Sequence, residues 1–109
     1  MDELTDDTGL LARFETLVDA SGMPTLKISG ELDMASAGPI SQAIEAIVAN
    51  RPTRVVVDLS DLRFIDSSGL SLFLILADQV AEVEIRNPSA IIRKVIDVTG
   101  LSSIFVISP

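Results

Sequence analysis

The residues from Arg54 to Leu70 restrict the fold of this chain more than any other stretch. Val55-Val56-Val57 is a β-branched run without polar alternation. Bounded by turn signals, such a run reads as an inner strand, Arg54 to Leu59, covered on both faces. Ser60 to Arg63 reads as a polar link, and Phe64 and Ile65 as apolar residues packed under a turn. Asp66-Ser67-Ser68-Gly69 then opens a helix, because Asp and Ser are favoured N-cap residues. The turn lies at the carboxyl end of a strand expected to be parallel, where open α/β sheets usually carry their sites.

The flanking sequence supplies the other layers. Arg13 to Val18 is expected as an edge strand, Ala20 to Pro24 as a turn, and Thr25 to Leu32 as a second strand with Leu26, Ile28 and Leu32 on one side. A helix follows from Ser36 or Ala37 to about Asn50, its buried face marked by Ile40, Ile44, Ile47 and Val48. Reaching Arg54 through that helix makes a right-handed βαβ crossover. The second helix runs from Ser67 or Ser68 to about Val80. Its residues Leu70, Leu72, Phe73, Leu74, Ile75 and Leu76 are apolar nearly all round, so it is deeply buried or offers surface to a partner. Glu82 to Arg86 is a short strand with Val83 and Ile85 inward. Asn87 is expected to cap a third helix, with Pro88 as its first residue and Ile91, Ile92, Val95 and Ile96 as its apolar face. Gly100 suits the position after its end. Leu101 to Ile107 forms a last strand or a short helix. The expected fold class is therefore α/β: one domain over residues 12–109, order β-β-α-β-α-β-α, with a mixed, mostly parallel sheet of four to five strands. Residues 1–11, with Asp2, Glu3, Asp6 and Asp7, are expected as a flexible acidic tail.

Composition removes several functions. The net charge of −8 argues against nucleic acid or an acidic membrane as a partner. The chain has no Cys and no His, which excludes disulfides, thiol chemistry, most zinc sites and Ser-His-Asp catalysis. Lys27 and Lys94 are the only lysines, and no motif ties either to the serines of the turn. No phosphate-binding Walker run is present. Asp33, Asp58, Asp61 and Asp66 read as scattered surface carboxylates, and Arg93-Lys94 as a solvated pair. No catalytic residue, metal or cofactor is therefore expected. The acidic N-terminus and the shortness of the longest apolar run, Leu72 to Ala77, give the expectation of a cytoplasmic protein.

The turn at Asp66 remains as the chemical feature. A helix N-terminus offers unpaired N–H groups and a partial positive charge, which suits a phosphate group. A plain helix cap needs the same residues. Gly69 in the first turn costs about 1 kcal/mol of helix propensity relative to Ala, which points to a close approach by another part of the backbone.

In order along the chain, Gly30-Glu31-Leu32-Asp33, Val57-Asp58-Leu59-Ser60, Ile65-Asp66-Ser67-Ser68-Gly69-Leu70, Asn87-Pro88-Ser89 and Thr99-Gly100-Leu101 resemble the STAS domain of bacterial anti-sigma factor antagonists. The resemblance covers about residues 12 to 107. It implies a partner-switching protein whose Ser67 is phosphorylated by an anti-sigma factor serine kinase and restored by a serine phosphatase. ATP and Mg²⁺ belong to the kinase. It implies a partner-binding surface around Glu31, Asp33, Asp66, Ser68, Gly69, Leu70 and Phe73. A STAS domain also occurs as a non-phosphorylated subunit, in a lipid ABC transporter or a stressosome-like scaffold. The segment from Gly69 to Asn87 is shorter than the family pattern and lacks its Gly-Gly turn, so a second helix about one turn shorter is expected.

Overall fold

The structure, a computed structural model, describes residues 12–109; the expected acidic tail over residues 1–11 lies outside the described residues. Its strands are β1 (Arg13–Val18), β2 (Pro24–Leu32), β3 (Arg54–Ile65), β4 (Glu82–Arg86) and β5 (Val106–Ser108). Its helices are α1 (Ala37–Ala49), α2 (Ser67–Gln79) and α3 (Ala90–Val98), with a 3₁₀ turn at Leu101–Ser103. The strands stand in the sheet in chain order, β1-β2-β3-β4-β5. β1 and β2 form an antiparallel hairpin from Arg13↔Ser29 to Val18↔Pro24. Asp19 fastens its turn: the carboxylate accepts from the Ser21 amide and hydroxyl and from the Met23 amide. The Ser21 hydroxyl bond, then the Met23 amide, hold that carboxyl below the ordinary aspartate value.

The remaining pairs are parallel. All three crossovers step in the same direction, so right-handed connections place α1, α2 and α3 on one face. Leu26 and Ile28 of β2, Val55, Val57 and Leu59 of β3, and Val83 and Ile85 of β4 meet the helices there in a single core. Val55, Val56 and Val57 are all buried, so β3 is covered on both faces as its β-branched run implies, but helices supply the cover on one face only. Val56 is buried on the opposite face, in the row Thr25–Val56–Glu84, among charged neighbours rather than under a helix. The stems of long charged side chains are apolar enough to cover it.

β3 also runs further than expected. Ser60 to Arg63 belongs to the strand, which stays paired with β2 to Leu32↔Ile65 through register shifts between Lys27 and Ser29 and between Gly30 and Glu31. Each shift absorbs an extra residue of β3 and resets which side chains face inward. Leu59, Leu62 and Ile65 are therefore buried, while Phe64 points out and is 47% exposed. The expectation that Phe64 packs under the turn fails for this reason; Ile65 alone does so.

The start of α3 is a second correction. Ser89 is its N-cap, with the Ser89 hydroxyl accepting from the Ile92 amide at 3.2 Å. Asn87 instead adopts a left-handed conformation at φ 57° and donates its amide to the Ser108 carbonyl. The phase of the helix shifts accordingly: Ile92 and Ile96 are buried, and Ile91 is exposed. Beyond α3 the chain forms both elements left open by the sequence, the 3₁₀ turn and then β5. The link from α2 to β4 is short, and the Ala81 and Glu82 amides both donate to the Thr53 carbonyl.

Among the described residues, the helix-free face holds one buried charge. Glu84 is 6% exposed, and it accepts from Arg54 Nη2, from Arg86 Nε at 3.2 Å and from the Ser108 hydroxyl at 2.8 Å. Arg54 Nε also lies 2.7 Å from Glu82 Oε2, an ion contact without hydrogen-bond alignment. Burial opposes ionisation of Glu84, but the Ser108 hydroxyl and the two guanidinium groups outweigh it and hold the carboxyl below its ordinary value. A group with a lowered folded value stabilises the fold above its unfolded value, and that stability is lost as pH falls through the folded value. In urea titrations at stepped pH, the wild type should therefore lose stability on acidification below the usual glutamate range more steeply than Glu84→Gln. Parallel acid profiles for the two proteins would refute this role.

Candidate functional site

The site forms where β2 and β3 end side by side. Leu32 pairs with Ile65, and the next residue on β3, Asp66, donates its amide to the Leu32 carbonyl at 3.1 Å. Asp66 is extended, at φ −111° and ψ −172°, and is the N-cap of α2. Its Oδ1 accepts from the Ser68 amide at 2.9 Å and the Gly69 amide at 3.2 Å. Its carbonyl accepts the Leu70 amide at 3.1 Å. The carboxylate thus neutralises the donors that would otherwise make this helix end an anion site. Ser67 is the first helical residue and is exposed. Its carbonyl accepts the Ser71 hydroxyl at 2.8 Å. Ser67, Ser71 and Ile75 follow at four-residue spacing and form one exposed face of α2.

Gly69 is required by packing. A Cβ there would lie 2.7 Å from Ile65 Cγ1 and 2.8 Å from Leu32 Cγ, well inside normal contact. The close neighbours are thus the buried side chains that end β2 and β3 rather than another backbone. Leu70 and Phe73 are also buried, Phe73 completely. Gly69, Leu70 and Phe73, which the resemblance assigns to the partner-binding surface, are thus buried residues that pack α2 against the sheet. Glu31, Asp33, Asp66 and Ser68 are partly exposed. The apolar surface at this end of the sheet comes instead from Met34, in the β2–α1 loop, and Phe64, paired with Glu31.

The β2–α1 loop is built around Ser36, a residue that the sequence marks only as a possible helix start. Ser36 is buried; its hydroxyl accepts from the Asp33 amide and donates to the Glu31 carbonyl at 3.0 Å or to Asp33 Oδ1 at 3.1 Å. The Ser36 amide donates back to Asp33 Oδ1 at 3.1 Å. Asp33 and Ser36, three residues apart, thus bond each other's amides reciprocally, with the geometry of a capping box ahead of the helix. Asp33 and Asp66 follow the paired residues Leu32 and Ile65, but each carboxylate serves its own turn. Among the described residues no group of three or more acidic side chains is arranged to hold a metal ion. Among them also, no helix is long and apolar enough to cross a membrane.

Residues 15–107 match the family model described as Mlab, STAS domain. The chain belongs to the STAS domain family. It is similar to the anti-sigma-F factor antagonist RsfB of Mycobacterium tuberculosis, with 30% identity over 93 residues covering 83% of this chain and 76% of that protein. The crystal structure of an anti-sigma factor antagonist from Mycobacterium paratuberculosis superposes with a TM-score of 0.77 at 32% identity, over 90% of this chain and 86% of that one. The phosphorylated form of the Bacillus cell fate determinant SpoIIAA superposes with a TM-score of 0.70, over 89% of this chain and 92% of that one. Its identity of 24% speaks for the fold alone. The five-stranded mixed sheet with three helices on this chain is thus a STAS fold, as the ordered motifs imply.

Proposed function

We propose that this STAS domain is an anti-sigma factor antagonist switched by phosphorylation of Ser67. The observation that carries the reading is the placement of Ser67: an exposed hydroxyl residue at the first position of α2, directly after a cap whose carboxylate already occupies the free amides. In this reading the unphosphorylated domain binds an anti-sigma factor serine kinase in the cytoplasm and releases the sigma factor. A phosphate on Ser67 adds about −1.5 to −2 charge. The helix end cannot absorb that charge, because Asp66 already holds the Ser68 and Gly69 amides. The phosphate therefore stands out as an uncompensated charge on the partner surface, on the exposed face of α2 that also carries Ser71 and Ile75. Burying such a charge is costly, so binding stops without any change of fold. A serine phosphatase restores the binding form. The relatives named as antagonists, matched over more than three quarters of this chain, support the reading.

The test is incubation with ATP and candidate serine kinases, followed by intact-mass and peptide mapping. One phosphate should appear in the wild type and none in Ser67→Ala. Ser67→Asp should weaken binding to the cognate anti-sigma factor by about 10²-fold or more, read by titration calorimetry. A phosphate that persists in Ser67→Ala, or full affinity in Ser67→Asp, would defeat the proposal.

The matched family model carries the description Mlab rather than that of an antagonist, which favours one second reading. There the domain is a non-phosphorylated accessory subunit, of a lipid ABC transporter or a scaffold. Co-purification with an ATPase and a permease, and no mass gain with any kinase, would select it.

A further inference from the structure

β1 is an edge strand whose six residues are all exposed, including Phe14 at 44%, Leu17 at 49% and Val18 at 65%. Among the described residues nothing pairs with its outer side. Phe14, Thr16 and Val18 share the helix side of the sheet, where they line an apolar groove of about 500 Å³ with Ala43, Ala46 and Ile47 of α1. Long exposed edges with apolar side chains are templates for pairing with another chain. We propose that β1 pairs antiparallel with β1 of a second copy, with the two-fold axis through Thr16, giving a continuous ten-stranded sheet.

Charge selects this register. Cross-strand partners share a face, so only shifts of two residues keep the groove side intact. With Thr16 opposite Thr16 of the second copy, Phe14 faces Val18 and Glu15 faces Leu17, each contact occurring twice. No like charges are opposed. A shift of two in one direction sets Glu15 against Glu15 of the second copy; the other sets Glu15 against Asp19. Like charges directly opposite are destabilising, whereas Thr–Thr and aromatic–β-branched pairs are favourable. The same register covers all three exposed apolar residues of β1 and brings the two grooves together across the axis. β2 and β3, whose ends carry Ser67, lie inside the sheet from this edge, so the association is independent of the switch.

Sedimentation equilibrium of the full chain should show the mass rising from monomer toward dimer between about 1 μM and 1 mM, as expected for a small interface. Thr16→Lys sets two ammonium groups on the axis and should weaken the dimer at least about tenfold. Thr16 is exposed, so the variant keeps its fold, which circular dichroism checks. The chain has no cysteine, so a single Thr16→Cys gives a clean probe: it should form a disulfide-linked dimer on mild oxidation, and Ser102→Cys should not. A full chain that stays monomeric throughout overturns the proposal. So does a dimer that is unaffected by Thr16→Lys, or one that Thr16→Cys fails to link.

Discussion

Phe73→Ala should lower the unfolding free energy by about 3–5 kcal/mol, the largest effect expected of any single truncation in this domain. Phe73 is completely buried and heads the fully buried side chains by volume. The chain has four Phe and no Trp or Tyr, so its core is otherwise Leu, Ile and Val. Deleting the ring leaves a cavity that short aliphatic side chains on a fixed sheet fill poorly. Domains of this size hold roughly 5–15 kcal/mol in total, so the variant should sit near its unfolding midpoint in mild urea. Phe73→Leu, which restores most of the volume, should cost far less. Urea unfolding followed by circular dichroism measures both; equal losses for the two variants would contradict the cavity argument. Phe73 lies on the helix that begins with Ser67, so Phe73→Ala should also loosen the proposed partner surface without touching it.

Gly69→Val should cost about 1–3 kcal/mol through overpacking and should lift the first turn of α2. The new Cβ would meet Ile65 and Leu32 at distances that real side chains do not tolerate. Both residues are buried and end neighbouring strands, so neither has room to yield. The helix end must move instead, stretching the bonds from the Ser68 and Gly69 amides to Asp66. Hydrogen exchange at Ser68, Gly69 and Leu70 should accelerate while the amides of β3 stay protected. Unchanged exchange at Leu70 would show that the strands give way and the helix does not. Gly69→Ala should be milder, because its gain in helix propensity of about 1 kcal/mol offsets part of the clash.

The sequence made Asp66 legible because a cap needs a short acceptor one residue before a helix, and few other residue types serve. It made the order β-β-α-β-α-β-α legible through Val55-Val56-Val57 and the spacing of Ile40, Ile44 and Ile47. It failed where periodicity is reset. Two register shifts hide the second half of β3 inside a stretch that reads as polar, and they turn Phe64 outward while Leu62 goes in. It failed again at Asn87, where Asn tolerates the left-handed conformation and so serves a turn in place of the cap that Ser89 provides. Leu70 and Phe73 show a different limit, since both are buried beside the motif. An apolar residue next to a motif looks the same in sequence whether it faces a partner or the core, and only burial separates the two.

The coincidence of strand order with chain order bears on how the domain is made. Each strand after the first docks against the one synthesised just before it, so no gap in the sheet has to be held open for a later segment. Closure of each βαβ unit spans only its own helix, which keeps the entropic cost of every step small. The last strand, β5, is three residues long and adds little apolar surface of its own. Its arrival brings the Ser108 hydroxyl to the Glu84 carboxylate, which until then is paired only with arginines on β3 and β4. In the folded sheet, β5 thus completes the polar cluster around Glu84 at the far edge, with the Ser108 hydroxyl as its third partner.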